Sequence, residues 1–213
     1  MPRWLEEIAQ RARDYLERAR DGPDTYVVRG CKVVVTNPRP DVETRFVLER
    51  LDAALALIER HQPWRLSHLR RDLRTIAVAP FPCRGAYFPG QRTVLTELSF
   101  LARTAEFTAA QIAASVVHEG VHARVHQMGQ HLGFDQTARD APREERLCRR
   151  AELAFGESLP PQMGAPVIAR ATQSLELADE EVAPTVDWSA AHAVKQQADA
   201  AAIEAWRRGQ GRP

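Results

Sequence analysis

Hydrophobic residues recur along the chain at two kinds of spacing, which predict a mainly helical protein with a few short strands. Spacings of three and four residues predict five helices, over residues 2–20, 41–61, 108–130, 142–155 and 187–207. Clusters of β-branched residues predict strands within residues 25–36, 75–79 and 85–98. Because these strands all come before the third helix, we expect an α+β fold in which a small sheet precedes that helix.

The third predicted helix carries an H-E-x-x-H pattern at His118, Glu119 and His122. Thr108 and Gln111 have the spacing of a capping box at the start of this helix. Positions i and i+4 of a helix lie on the same face, so the two imidazoles can bind one metal ion. Glu119 lies beside the first histidine, where a carboxylate can take a proton from metal-bound water. The pattern therefore predicts a zinc site with Glu119 as the general base.

A catalytic zinc ion needs a third protein ligand, and the fourth predicted helix offers three carboxylates. Glu144 falls in the middle of the apolar stripe of this helix, whereas Glu145 and Glu152 share a line along its border. Glu145 and Glu152 are two turns apart, about 10 Å along the helix axis, so they cannot both bind one ion. Helical geometry alone leaves all three carboxylates open as candidates.

Together, the two helices resemble the gluzincin arrangement of zinc metallopeptidases. In that arrangement, a second helix follows the H-E-x-x-H helix, begins with a glutamate ligand and has a small residue three positions later. Here the pattern falls on His118, Glu119, His122, Glu145 and Cys148, within about residues 94–155.

The resemblance implies a small zincin-like enzyme that binds one Zn²⁺ ion per chain. His118, His122 and Glu145 would bind the zinc, and Glu119 would activate a zinc-bound water to hydrolyse a peptide or amide bond. The enzyme would then be a zinc metallopeptidase, a hydrolase whose substrate is a peptide or protein. Two imidazoles and a carboxylate suit zinc, although iron, cobalt or manganese also bind such sites.

Four neighbouring side chains have other expected roles. Glu144 is the second candidate for the third ligand, and Glu152 is expected to orient a histidine. His126 continues the i+4 series one turn beyond His122, and we expect it either to support a ligand or to lie at the surface. Cys148 can be a soft metal ligand or, as we expect, a small buried helix residue.

Two further expectations concern the substrate and a competing function. If residues 92–99 form the edge strand of the sheet, an extended peptide can pair with them across the zinc; an internal strand is the equal alternative.

The competing function is a catalytically inactive, zinc-stabilised binding or regulatory module. A metal-free helical scaffold is the third possibility.

Length, charge and cysteine content set the broad class of protein. The 213 residues suit a single zincin-like domain over residues 1–213, with an N-terminal region to about residue 70, a metal-site core over 71–157 and a helical extension over 158–213. A net charge of +1 gives no reason to expect nucleic acid or a membrane as partner. Three cysteines without a C-x-x-C pair and an N-terminus without a signal-like apolar run indicate a cytoplasmic protein. The oligomeric state is not predicted.

Overall fold

The structure is a computed structural model, and it describes residues 24–132, 140–184 and 186–210. The helix predicted for residues 2–20 lies outside this part of the chain. The described strands and helices are, in chain order, β1 (Asp24–Val28), β2 (Cys31–Val35), α1 (Thr44–His61), α2 (Pro63–Asp72), β3 (Thr75–Ala79), β4 (Gly85–Phe88), β5 (Thr93–Glu97), α3 (Leu98–Ala102), α4 (Ala109–His131), α5 (Ala141–Ser158), α6 (Pro161–Leu175), α7 (Asp179–Val182) and α8 (Trp188–Gln210). The prediction of a mainly helical α+β fold, with a small sheet before the H-E-x-x-H helix, is confirmed.

The described strands form one mixed sheet in the order β1-β2-β3-β5-β4. β1 and β2 form an antiparallel hairpin, and its two-residue turn places Arg29 and Gly30 at positive φ angles. β2, β3 and β5 run parallel to one another, and β4 pairs antiparallel with β5. Among the described residues, β4 is therefore the outer strand at one edge of the sheet.

Helix α4 lies at the centre of the helical layer. It packs against α1, α2 and α5, and it also contacts β4 and β5. Its residues Ile112, Val116 and Val117 are buried in the main hydrophobic core together with Leu51 and Leu55 of α1. Burial of each large apolar side chain contributes about 1.5–3 kcal/mol. This packing fixes the rotation of α4 about its axis and so determines where its polar face lies.

Helix α8 was expected to pack on the body of the protein through a stripe formed by Trp188, Ala191, Val194, Ala198, Ala201 and Ala205, and it does so near its start. Trp188 packs on Phe81, and Lys195 Nζ lies 3.1 Å from Glu97 Oε1 at the end of β5. Val194 is 67% exposed, and Ala198, Ala201 and Ala205 are exposed as well. The later part of the expected stripe therefore does not pack against the described residues.

Two other features differ from the sequence prediction. Helix α1 begins at Thr44 rather than Asp41, because the Asp41 carboxylate accepts a hydrogen bond from Arg39 Nε at 2.7 Å and does not cap the helix. Helix α6 was not predicted, since it contains Pro166, which removes a helical hydrogen bond. Its close packing on α5 compensates: a Cβ on Gly164 would lie only 2.2 Å from the Gly156 carbonyl oxygen.

Candidate metal centre

Helix α4 begins with the predicted capping box. Thr108 Oγ1 accepts a hydrogen bond from the Gln111 amide at 3.3 Å, and Gln111 Oε1 accepts one from the Thr108 amide at 2.9 Å. These bonds satisfy two donors at the helix start. From this start, His118 and His122 lie one turn apart, and their ring centroids are separated by 5.0 Å.

Helix α5 packs against α4 in the antiparallel sense and supplies the carboxylates. Glu144 and Glu145, near the start of α5, contact His122. Glu145 also contacts His118, and Glu152, two turns later, lies against His118 as well. The structure therefore brings all three candidate carboxylates to the same pair of histidines.

Three potential metal-binding groups converge between the two helices. The Nε2 atoms of His118 and His122 are 3.2 Å apart. The Glu145 carboxylate bridges them, with one oxygen 3.2 Å from His118 Nε2 and the other 3.1 Å from His122 Nε2. Of the three candidate carboxylates, only Glu145 contacts both Nε2 atoms in the described ion pairs.

The opposite ring nitrogens face the other two carboxylates. His122 Nδ1 lies 2.6 Å from Glu144 Oε1, and because a carboxylate only accepts, Nδ1 carries the proton. His118 Nδ1 lies 2.6 Å from Glu152 Oε1, in a contact bent away from ideal hydrogen-bond geometry. In the neutral rings this arrangement leaves the lone pairs of both Nε2 atoms directed toward Glu145. Carboxylates at Nδ1 are the usual partners of zinc-binding histidines.

The concentration of negative charge strongly perturbs the titration of these groups. Burial alone would lower the pKa values of His118 and His122, but their carboxylate partners, together with Cys148 at His122, raise both. Burial would raise the pKa of Glu145, whereas the two histidines lower it well below its usual range. The centre therefore favours positive charge between the two histidines and Glu145. Either a proton on each histidine or one metal ion can supply this charge.

The spacing of the donors fits a zinc ion. A tetrahedral site with zinc–ligand bonds of about 2.0–2.1 Å places its ligand atoms about 3.3 Å apart. The two Nε2 atoms and the Glu145 oxygens are separated by 3.1–3.2 Å. The residues present could hold zinc with little movement, and His118, His122 and Glu145 are those that would bind it.

Glu119 lies beside this cluster, next to the outer strand of the sheet. It is buried, and its neighbours include Ser115 and Gly85 of β4. A Cβ on Gly85 would lie 3.0 Å from Glu119 Oε1, so a side chain at this position would press on the carboxylate. Burial raises the pKa of Glu119, although His118 and His122 partly oppose this shift.

An edge strand and an internal strand were equal alternatives for residues 92–99, and the structure has the internal one. β5 lies between β3 and β4, so β4 is the outer strand among the described residues. The role of Gly85 was not predicted. A glycine inside a predicted strand often marks a close approach of another group, and Gly85 was that signal.

His126 and Cys148 complete the surroundings of the centre. His126 is buried with its ring 6.0 Å from that of Tyr87, which excludes the surface position considered for it. Cys148 is buried, as expected, and its Sγ lies within 4.8 Å of a ring nitrogen of His122.

The chain matches no protein-family model, no curated protein and no solved structure. Within the described residues, no helix combines the length and the apolar character needed to cross a membrane.

The Glu152 carboxylate gives a direct test of how the histidines are held. Glu152→Gln removes the charge beside His118 Nδ1, and we expect zinc affinity to fall about 10- to 100-fold. Competition with a chromophoric chelator measures this change. Glu157→Gln, an exposed change on the same helix, is the matched control and should leave the affinity unaltered. Equal affinities in the two variants would contradict a role for Glu152 in zinc binding.

Proposed function

We propose that this protein is a zinc-dependent hydrolase, and specifically a zincin-like metallopeptidase. The observation that carries the proposal is the convergence of His118 Nε2, His122 Nε2 and the Glu145 carboxylate, at separations of 3.1–3.2 Å. Glu119 lies next to the same pair of histidines without forming an ion pair with either among the described contacts. Three metal ligands and a separate carboxylate are the components that metal-assisted hydrolysis requires.

The proposed roles of the side chains follow from their contacts. Zinc, when bound, would polarise the attacking water and the carbonyl group of the scissile bond. Glu119 would take the proton of the water and pass it to the leaving amine. The raised pKa of Glu119 supports this role, because a more basic carboxylate takes up a proton more readily near neutral pH. Glu144 and Glu152 would hold the imidazoles through their Nδ1 atoms.

The position of β4 supports a peptide as the substrate. As the outer strand, it offers an edge to which an extended chain can add by main-chain hydrogen bonds. Gly85 lies at the start of β4 and directly against Glu119. A peptide aligned along β4 would therefore pass next to the proposed general base, which lies against Gly85.

A peptide-cleavage experiment tests this proposal. Zinc-loaded protein is incubated with a peptide library, and new termini are identified by mass spectrometry. We expect cleavage that stops on chelation and returns when zinc is restored. His122→Ala, purified in parallel, excludes a contaminating protease if its preparation shows no cleavage. Zinc-loaded protein that cleaves no member of the library would contradict the proposed activity.

The burial of the centre favours a second candidate function, a zinc-stabilised binding or regulatory module without turnover. His118 is 5% exposed and Glu119 is 8% exposed, so a substrate has limited access to them. This candidate predicts the same zinc content as the first and no cleavage in the same assay.

A further inference from the structure

The three cysteines of the chain lie in different surroundings. Cys31 belongs to the main hydrophobic core, and Cys83 packs against a smaller apolar cluster around Phe81. Cys148 is 0% exposed, yet it belongs to neither cluster. It is buried against the polar side chains of the candidate metal centre, so packing in an apolar core does not account for its position.

The Cys148 thiol points toward the metal-binding groups. It lies one helical turn after Glu145, on the side of the helix that faces His118 and His122. Its Sγ and one donor atom each of His118 and His122 all lie within 4.8 Å of one another. Nitrogen and sulfur ligands of a tetrahedral zinc ion are about 3.6 Å apart. The distances from Sγ to the two histidine nitrogens therefore exceed that spacing by at most roughly 1.2 Å.

We propose that Cys148 is the fourth protein ligand of the resting metal centre, together with His118, His122 and Glu145. Zinc binds thiolates strongly, and the thiol releases its proton to solvent when it binds. The inference rests on the proposed zinc function and extends it, because the gluzincin resemblance gives this position only a small residue.

A fourth protein ligand determines how the centre is regulated. Four protein ligands close a zinc site, whereas a catalytic site keeps one position open. Hydrolysis then requires Cys148 to leave the metal, so this side chain restrains turnover. Cys148→Ala leaves three ligands and an open position, and it raises the rate of peptide cleavage relative to the wild type.

X-ray absorption at the zinc edge tests the ligand set without depending on activity. The zinc-loaded wild type should show one sulfur at about 2.3 Å in addition to the nitrogen and oxygen ligands at about 2.0–2.2 Å. This sulfur contribution should disappear in Cys148→Ala and Cys148→Ser. It should persist in the double variant Cys31→Ala/Cys83→Ala, which is the control for the other two thiols.

The possible outcomes separate this inference from the function on which it rests. Zinc bound by nitrogen and oxygen alone in the wild type overturns the role of Cys148 and leaves the zinc hydrolase intact. A protein that binds no zinc overturns both. The wild-type spectrum decides the ligand question even if a Cys148 variant fails to fold, and a sulfur signal lost in the double variant assigns the ligand to another cysteine.

Discussion

Glu119→Gln is expected to retain zinc and to lose most of the hydrolytic activity. Glutamine has nearly the same shape as glutamate but cannot accept the proton of the attacking water. A positioned general base contributes about 10²- to 10⁴-fold to the rate, so kcat should fall by about this factor. The fold should survive, because glutamine fills nearly the same space at this buried position and keeps a hydrogen-bonding group there. Steady-state cleavage of a peptide identified from the library measures the loss.

The control for this variant is a second Glu→Gln change away from the centre. Glu157→Gln lies on the exposed side of α5 and should keep the wild-type kcat. Zinc content must be measured on both variants, since loss of metal from Glu119→Gln would explain a loss of activity trivially. Unchanged kcat in zinc-loaded Glu119→Gln would refute the assignment of the general base.

Zinc is expected to stabilise the folded protein substantially, and His122→Ala should abolish this effect. Metal binding to the folded state contributes RT ln(1 + [Zn]/Kd), which is about 4 kcal/mol when free zinc is about 1,000 times Kd. For a domain of this size, each kcal/mol raises Tm by about 2–4 °C, so a rise of about 8–16 °C is expected. Calorimetry of the chelated and zinc-loaded proteins measures the shift.

His131→Ala is the matched control, because His131 is an exposed histidine at the end of the same helix. It should show the full zinc-dependent rise in Tm. An equal rise in His122→Ala would mean that the stabilising zinc binds elsewhere, and no rise in the wild type would favour the metal-free scaffold.

Helical periodicity was sufficient to predict the relation between His118, Glu119 and His122. Residues at i and i+4 share a face whatever the helix packs against, and the capping box fixes where the helix begins. The described contacts bear this out, with the two Nε2 atoms 3.2 Å apart. The metal itself stays a prediction, because the spacing of donors supports zinc without showing it.

The separate environments of Glu144, Glu145 and Glu152 could not be obtained from the sequence. They depend on how α5 crosses α4 and on its rotation about its own axis, which long-range packing sets. In the structure Glu145 meets both Nε2 atoms, whereas Glu144 and Glu152 each meet one Nδ1 atom. A rotation of α5 by about 100°, the turn of one residue, would put a neighbouring residue in the place of Glu145.

The order of the strands was also beyond local sequence patterns. Residues 85–98 were predicted as a β-rich segment, and the structure has β4 and β5 there. Their order depends on the pairing of β5 with β3, which is distant in the chain. Only the glycine at position 85 indicated locally that this strand comes close to another group.

Metal content tests the central claim most directly. Elemental mass spectrometry on protein purified without chelators, for the wild type, His122→Ala and Glu145→Ala in parallel, gives the number of zinc ions per chain. We predict one zinc per chain in the wild type and loss of that zinc in both variants. A wild-type protein that holds no metal after zinc repletion, or variants that keep their zinc, would contradict the assignment of this centre.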